Sequence, residues 1–234
     1  YENNHEKHGL NLLKLIRKIG SGTFGIIYKA IDYKTRKLYT IKKAKINLKE
    51  TFKEISILIK VESIYVVKYL CIWVIDTDIC IQMQLCSTDL KSILDVKPQV
   101  FGRQSGQVMG LVEYFISCEI YRQILQCVQY LHELNAPVIH RHLKPDNILI
   151  ARRVRKGRFI KLCDFELASM ERVTNTKHTG LVGTLGYMAP ESKLYRKYST
   201  KSDVCSLAII ANEFSNLLDM YCGKNILDLN VIEY

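Results

Sequence analysis

The sequence predicts an α+β fold of two lobes, a small β-rich lobe with one helix followed by a larger helical lobe. Short β-type runs broken by turns fill the first third of the chain, and apolar residues at helical spacing dominate the rest. We place an N-terminal flank at 1–11, the small lobe at 12–83, a hinge at 84–87 and the large lobe at 88–234. A ligand cleft is expected between two such bodies.

Strands of the small lobe are expected at Leu12 to Ile19, Gly25 to Asp32, Lys37 to Lys42, Val66 to Val74 and Ile79 to Met83. Apolar residues recur at helical spacing from Lys49 to Val61, which predicts an amphipathic helix against this sheet.

The large lobe is expected to contain mostly helices and one basic hairpin. Its predicted segments are a helix from about Asp89 to Leu94, a loop from Pro98 to Gly110, a long helix from Glu113 to Glu133, strands at Asn147 to Ile150 and Phe159 to Leu162, and an apolar helix from Val204 to Leu217.

Composition limits the class of protein. The chain has 234 residues, 48% of them hydrophobic, which is enough to bury a core. No run approaches the ~18 uncharged apolar residues of a membrane span, and residues 1–13 lack a signal-peptide core. We expect an intracellular, cytoplasmic protein without a membrane partner. The eight cysteines form no C-x-x-C pair, which favours buried reduced thiols over zinc or redox chemistry.

The formal net charge of +11 suits an anionic partner but does not choose among nucleic acid, acidic protein and nucleotide phosphate. Basic residues cluster at 152–158. We interpret that cluster as a solvated hairpin turn, and we expect no direct nucleic-acid binding.

The first motif with chemical meaning is the glycine turn Gly20, Gly22 and Gly25, which lies between two strand-like runs. Such a turn can approach phosphate oxygens and donate backbone N–H groups to them. A glycine-rich hairpin without a ligand is equally common. No helix begins after Gly25, which disfavours a dinucleotide-binding motif.

Lys42 ends the third strand, from which its side chain could reach the phosphates under the glycine turn. A lone lysine is usually a surface residue. Glu54, on the following helix, can pair with Lys42 across the sheet and hold it in position. Lys43 points to the other face of the strand by alternation.

Four further motifs follow in order. They are His140-Arg141-His142-Leu143-Lys144-Pro145-Asp146-Asn147, Leu162-Cys163-Asp164-Phe165-Glu166, Gly183 to Glu191 with its final Ala189-Pro190-Glu191, and Ser202-Asp203 before an apolar helix. In order and spacing, these motifs together with the glycine turn and Lys42 resemble the eukaryotic protein kinase family. The resemblance covers roughly residues 12–217.

This resemblance implies a bilobal kinase fold that binds ATP and Mg²⁺. It assigns phosphate contacts to Gly20, Gly22, Gly25 and Lys42, support of Lys42 to Glu54, and magnesium binding to Asn147 and Asp164. It also places Ile27, Met83 and Leu85 around the nucleotide, with the adenine bonded to the backbone of the hinge.

Lys144 and Thr184 resemble the serine/threonine class, whose substrate is a protein hydroxyl. Arg141 is a residue that can bind a phosphate on the activation segment, for which Thr174, Thr176 and Thr179 are candidate acceptors. Residues 54–73 and 81–86 also resemble the kinases that phosphorylate the alpha subunit of translation initiation factor 2, although the long insert of that subfamily is missing.

The sequence departs from the family pattern at the base position, where His142 replaces aspartate. A neutral imidazole can accept a proton, whereas the protonated ring places positive charge there. Loss of a general base costs ~10²- to 10⁴-fold in rate. Asp146 lies beyond Lys144 and is interpreted as a loop residue.

A second departure is Glu166, which replaces the glycine of the D-F-G motif. The glutamate restricts the backbone and adds a carboxylate. Three interpretations are open: the loop is locked in one state, Glu166 is an extra metal ligand, or the site is simply impaired. The arginine expected to pair with Glu191 is not found, so either the sequence is a fragment or the large lobe is incomplete.

Two functions follow. The first is a serine/threonine kinase that transfers the γ-phosphate of ATP to a protein substrate. The alternative is a catalytically impaired ATP-binding pseudokinase that acts as a scaffold or allosteric partner of a regulatory protein.

Overall fold

The computed structural model describes residues 13–22, 25–45, 48–61, 64–104, 107–170 and 183–215. Several predictions lie outside these ranges. They concern the flank at 1–11, the tip of the glycine turn at 23–24, the candidate acceptors Thr174, Thr176 and Thr179, and the tail after residue 215.

The small lobe is built on a five-stranded antiparallel sheet. Its strands are β1 (Leu13–Gly22), β2 (Gly25–Asp32), β3 (Leu38–Lys45), β4 (Tyr69–Ile75) and β5 (Asp78–Gln84), in the order β1-β2-β3-β5-β4. Isoleucines recur in these runs and favour strands because branched side chains pack well on a pleated surface. Ala30, Ile41 and Cys80 form a small core on this sheet.

Helix α1 (Leu48–Lys60) links the small lobe to the main core. Its buried residues Ile57 and Leu58 cluster with Leu90, Ile148 and Phe165 of the large lobe. The predicted amphipathic helix is therefore present, and its apolar side packs into the core shared by both lobes.

The large lobe contains four helices and short strands within the described ranges. They are β6 (Cys86–Asp89), α2 (Leu90–Val100), α3 (Leu111–His132), β7 (Val138–Ile139), β8 (Ile148–Arg155), β9 (Arg158–Leu162), β10 (Ser169–Met170), α4 (Pro190–Tyr195) and α5 (Thr200–Ser215). Strands β6, β8 and β9 form one sheet, and β7 pairs with β10.

Two backbone bonds tie the lobes together near the site. The N–H of Val67 donates to Leu162 O at 2.9 Å, and the N–H of Leu162 donates to Tyr65 O at 2.9 Å. Val66 forms an isolated bridge with Leu162. The prediction that β4 begins at Val66 is wrong because this segment pairs with the large lobe, and the strand begins at Tyr69.

The predicted loop from Pro98 to Gly110 starts too early, because α2 continues to Val100 with Pro98 inside its last turn, whereas the predicted end of the loop agrees with the start of α3 at Leu111. Proline ordinarily ends a helix by its missing N–H and its clash with the preceding turn. Here Lys97 Nζ bonds Phe214 O at 2.7 Å and lies 3.2 Å from Glu113 Oε1, contacts that hold this turn against α3 and α5.

The basic run forms the predicted hairpin, with Lys156 and Gly157 at positive φ in its turn. Arg158 differs from the predicted solvated state, since it is half-buried with its guanidinium 4.2 Å from the Tyr65 ring centre. Within the described ranges, no helix has the length and apolar character needed to cross a bilayer. The expectation of buried thiols is wrong for Cys71 and Cys118, which are exposed.

Candidate active site

Lys42 lies at the centre of the site. It sits in β3 between Ile27 of β2 and Ile81 of β5, and its side chain is buried. Its Nζ lies 3.0 Å from Glu54 Oε1 and 3.1 Å from Glu54 Oε2. Glu54 is itself buried on α1, so the predicted pair is a bidentate contact that fixes the helix against the sheet.

Asp164 brings a second carboxylate to Lys42, with 3.6 Å between Nζ and Oδ1. Its φ of +64° is a left-handed conformation that costs a non-glycine residue on the order of 1 kcal/mol. The next residue, Phe165, is fully buried with its ring centre 4.9 Å from that of His140. The buried ring anchors the segment and keeps the Asp164 carboxylate in the site.

Glu166 is a third carboxylate on the same lysine, with Oε2 3.1 Å from Lys42 Nζ. Burial raises the pKa of Glu166, and although Lys42 opposes the shift, Glu54 and Asp164 add to it and the pKa reaches about 7. Glu166, which replaces the glycine of D-F-G, therefore contacts the Lys42 ammonium group, where the kinase resemblance expects a phosphate to bind.

His142 contacts two other site residues. Its Nδ1 lies 3.1 Å from Asp164 Oδ2, and its Nε2 lies 3.2 Å from Thr184 Oγ1. Burial opposes ionisation of Asp164, but the contact with His142 and the charge of Lys42 outweigh it and lower the Asp164 pKa to about 2. Asp164 is therefore ionised at neutral pH.

Asn147 is held by its amide nitrogen, which donates to His142 O at 2.8 Å and lies 3.5 Å from Asp164 Oδ2. Its amide oxygen is the remaining acceptor. The side chains of Asn147 and Asp164 lie next to each other, and carboxylate and amide oxygens are the donor type that magnesium prefers. The described residues contain no cluster of three or more His, Cys, Asp or Glu side chains that could hold a metal ion.

Lys144 is directed toward Asp146, with Nζ 3.9 Å from Oδ2. Lys144 precedes the short 3₁₀ turn Pro145–Asn147, which contains Asp146, and the backbone bond from the Asn147 N–H to Lys144 O measures 3.0 Å. Lys144 is three-quarters buried and Asp146 half-exposed, so the pair lies at the edge of the site.

The three glycines of the turn differ in whether the surrounding structure would accept a side chain at their positions. Gly25 has φ +133°, and a Cβ there would lie 2.4 Å from Lys43 O, so only glycine fits. A Cβ on Gly20 would meet Ile27 at an ordinary 3.7 Å, and one on Gly22 would meet nothing within 4 Å. Packing explains Gly25 alone, and the phosphate contacts of Gly20 and Gly22 stay a prediction.

Of the residues predicted to surround the nucleotide, Ile27 and Met83 lie on the five-stranded sheet and Leu85 follows it. Ile27 is the cross-strand partner of both Gly20 and Lys42, and Met83 pairs with Thr40 and Tyr69. Leu85 is half-buried and separates β5 from β6 at the hinge. Burial raises the pKa of the Cys163 thiol beside Asp164, which disfavours a reactive thiolate there.

Asp203 is a positioning residue whose role the sequence did not indicate. Its fully buried carboxylate accepts the N–H of His140 at 2.8 Å, the N–H of Arg141 at 2.9 Å, and faces His132 Nε2 at 2.9 Å. These bonds hold the loop before His142, where Arg141 has φ +62°. The sequence signal for this role was an acidic residue just before a predicted helix. That signal is not specific, because acidic residues are favoured at helix N-termini in general.

Comparison with known protein families settles the relationship. A family model described as "Protein kinase domain" matches residues 13–232. The chain belongs to the protein kinase domain family. The kinase motifs identified in the sequence are thus part of a match that extends over nearly the whole chain.

Curated relatives of this kinase domain are serine/threonine kinases. It is 34% identical over 86% of its length to serine/threonine-protein kinase cst-1 of Caenorhabditis elegans, covering 38% of that protein. It is 33% identical over 90% of its length to mitogen-activated protein kinase mpkC of Aspergillus clavatus, covering 52%, and 30% identical over 92% to serine/threonine-protein kinase Nek11 of Homo sapiens, covering 33%. The chain spans about a third to half of these relatives.

Proposed function

We propose that this kinase domain binds ATP with Mg²⁺ and transfers the γ-phosphoryl group to serine or threonine hydroxyls of a protein substrate. The observation that supports this most directly is the convergence of β3, α1 and the Asp164 segment on one buried lysine, Lys42. A lysine held by two carboxylates in this way is a preorganised cation for phosphate.

In this proposal, Lys42 binds the phosphates while Glu54 holds its side chain in place. Asn147 and Asp164 would hold Mg²⁺, which would supply positive charge to neutralise the phosphates. Glu166 must leave Lys42 or be protonated for the phosphates to take its place, because both bind the same Nζ.

The proton acceptor in the proposal is His142. With the Nδ1 proton directed at the Asp164 carboxylate, Nε2 is left as the acceptor, and it already lies 3.2 Å from a hydroxyl, that of Thr184. A substrate hydroxyl in that place would give its proton to Nε2 as its oxygen attacks the γ-phosphorus. The bond between that phosphorus and the β–γ bridging oxygen breaks, and ADP leaves.

A second function, that of an ATP-binding pseudokinase, is favoured by a different observation. A protonated His142 between Asp164 and Thr184 could not accept a proton, and its charge would oppose the Mg²⁺ that Asp164 is proposed to hold. Glu166 on Lys42 would weaken phosphate binding further. The domain would then act through its partners rather than by catalysis.

Phosphoryl transfer in His142 variants distinguishes the two functions. Labelled ATP and a generic basic substrate protein would be incubated with the wild type, His142→Asp, His142→Phe and Asp164→Asn. The proposed kinase transfers phosphate slowly, loses at least ~10²-fold in rate in His142→Phe, and gains in His142→Asp because a carboxylate returns to the base position. Asp164→Asn loses activity in every background.

The rival function has a separate signature. A wild type that binds ATP without transfer, together with transfer in His142→Asp, would establish the pseudokinase and contradict His142 as the base. Equal slow transfer by the wild type and His142→Phe would also contradict that role, because the ring would then contribute nothing to proton removal.

A further inference from the structure

A cavity that does not include the residues around Lys42 lies beside the hinge and has a volume of about 1020 Å³. Its walls come from the turn between β2 and β3, the start of β4, the hinge at Gln84 and Leu85, and the β8–β9 hairpin. It therefore forms where elements of both lobes meet.

The lining of this cavity is strongly cationic. Eight of its fourteen lining residues are arginine or lysine and, of these described residues, none is acidic. The chain as a whole has 34 basic and 23 acidic residues, so its excess positive charge is concentrated here. The cations used in the argument are Arg36, Lys37, Arg153, Arg155, Arg158 and Lys161.

Two of these cations are built into the protein without a carboxylate partner in the described ranges. Lys161 Nζ donates to Ile64 O at 3.1 Å and to Val66 O at 3.0 Å. Arg158 donates to Gln126 and to Gln123 O, and it stacks on Tyr65. Their hydrogen bonds are thus to neutral acceptors, although the charge of Arg158 also acts on the Glu119 carboxylate.

The like charges oppose one another. Burial lowers the pKa of Lys161, and the positive charges of Arg155 and Arg158 lower it further. Arg153 and Arg155 are exposed at the cavity. An anion bound among these groups would relieve their repulsion, which makes the cavity a favourable site for negative charge.

Apolar side chains complete the cavity. Leu38, Leu70 and Leu85 line it together with Ile64, whereas its lining includes a single aromatic residue, Tyr39, among those described. Single-stranded nucleic acid binds through stacking of its bases on several aromatic rings, which the described lining does not supply. A peptide in which apolar side chains alternate with anionic ones matches this lining better than nucleic acid does.

We propose that this cavity binds an acidic segment of a protein partner, in which carboxylate or phosphate side chains alternate with apolar ones. The cations of the β2–β3 turn and the β8–β9 hairpin face the anionic groups, and the leucines receive the apolar side chains. Such a segment binds whether or not the kinase site turns over ATP.

Fluorescence anisotropy of the full chain provides the test, at physiological ionic strength. The probes are a labelled short peptide of glutamate interspersed with leucine, the same peptide with phosphoserine in place of glutamate, a glutamine version, and a single-stranded RNA of equal charge. We expect both anionic peptides to bind, the glutamine version to bind at least about tenfold more weakly, and the stronger of the two to identify carboxylate or phosphate as the preferred group.

Charge reversal at the cavity is compared with a matched reversal elsewhere. Arg153→Glu/Arg155→Glu changes two exposed residues of β8, and Lys14→Glu/Arg17→Glu changes two exposed residues of β1 by the same total charge. We expect the first pair to lose at least about tenfold in peptide affinity and the second to lose less than about twofold. A cooperative thermal unfolding transition in both pairs, with melting temperatures close to that of the wild type, shows that they are folded.

Three results would overturn the proposal. They are no measurable binding of either anionic peptide, equal losses in the two charge-reversed pairs, and tighter binding of RNA than of peptide that is lost only in Arg153→Glu/Arg155→Glu. The first two would leave only diffuse attraction by the net charge, and the third would identify a nucleic-acid site.

Discussion

At the scale of single residues, the account depends on the carboxylates that share Lys42. Glu54 and Glu166 both lie within 3.1 Å of Nζ, and Asp164 Oδ1 lies at 3.6 Å. One buried cation cannot compensate three ionised carboxylates. Burial raises the pKa of both Glu54 and Glu166, and the pKa of Glu166 reaches about 7, so the protonation of Glu166 changes near neutral pH.

Replacing Glu166 by glutamine should stabilise the fold more at pH 8 than at pH 5. The pKa of Glu166 is about 7 in the fold, above its ordinary 4.5, so the folded state holds the proton more tightly and stability falls as pH rises from about 4.5 to 7. Glutamine removes that loss. We expect the gain in the free energy of unfolding to be about 2 kcal/mol larger at pH 8, measured by urea denaturation.

Glu119→Gln is the control for this experiment, because the hydrogen bonds from Arg122 and Gln123 lower the pKa of Glu119 to about 2. The stabilising contribution of the Glu119 carboxylate is fully present above about pH 4.5 and is lost only as pH falls toward 2, so the effect of Glu119→Gln should not change between pH 5 and pH 8. A Glu166→Gln effect that does not change between pH 5 and pH 8 would contradict the competition for Lys42.

Asp203→Asn should loosen the loop that presents His142. The carboxylate accepts two backbone N–H groups in a fully buried position, and the neutral amide has one oxygen for them. We expect a loss of about 2 to 3 kcal/mol in unfolding free energy, together with a lower rate of phosphoryl transfer. Asp95→Asn, at an exposed ion pair with Lys91, should change both by little. Equal effects of the two substitutions would be inconsistent with a positioning role.

At the scale of elements, helix α1 connects the core to the site because it holds Glu54 on one side and buries Ile57 on another. Ile57→Ala removes a side chain that is 1% exposed and should cost about 2 to 4 kcal/mol in unfolding free energy, while ATP affinity falls as Glu54 shifts. Ile59→Ala on the same helix is the matched control, since Ile59 is 59% exposed. Calorimetry checks both, and similar losses would show that α1 does not connect core and site.

The sequence predicted most elements because their patterns are local. β2 has the predicted bounds and α1 nearly so, and the order of motifs was enough to predict that Lys42 meets Glu54. The start of β4 was missed because Val66 pairs with a residue almost a hundred positions later. The end of α2 was missed because tertiary contacts of Lys97 hold the turn at Pro98.

The site was less predictable than the elements. The sequence showed that His142 and Glu166 depart from the family, but the resulting contacts depend on the direction of each side chain. The left-handed backbone at Asp164 turns its carboxylate toward both Lys42 and His142, and no residue type signals that conformation. The competition of Glu166 for Lys42 therefore required the structure.

At the scale of the whole molecule, the two proposed anion sites differ in kind and lie apart along the interface of the lobes. The first is a single buried lysine among carboxylates, suited to a phosphate accompanied by a metal. The second is a cationic cavity beside the hinge without acidic residues among its described lining. The net charge of +11 arises largely outside the proposed catalytic site.

The most direct test of the proposed ATP site is the melting temperature of the chain titrated with ATP and Mg²⁺. Binding to the folded state should raise it by several degrees at about 100-fold excess over Kd. Lys42→Met should abolish the rise in melting temperature relative to the variant without ATP. Lys43→Met is the matched control and should retain the rise, because Lys43 Nζ lies 3.2 Å from Asp78 Oδ2 at the surface and not in the site. An unchanged melting temperature in the wild type, or an equal rise in Lys42→Met, would contradict the account.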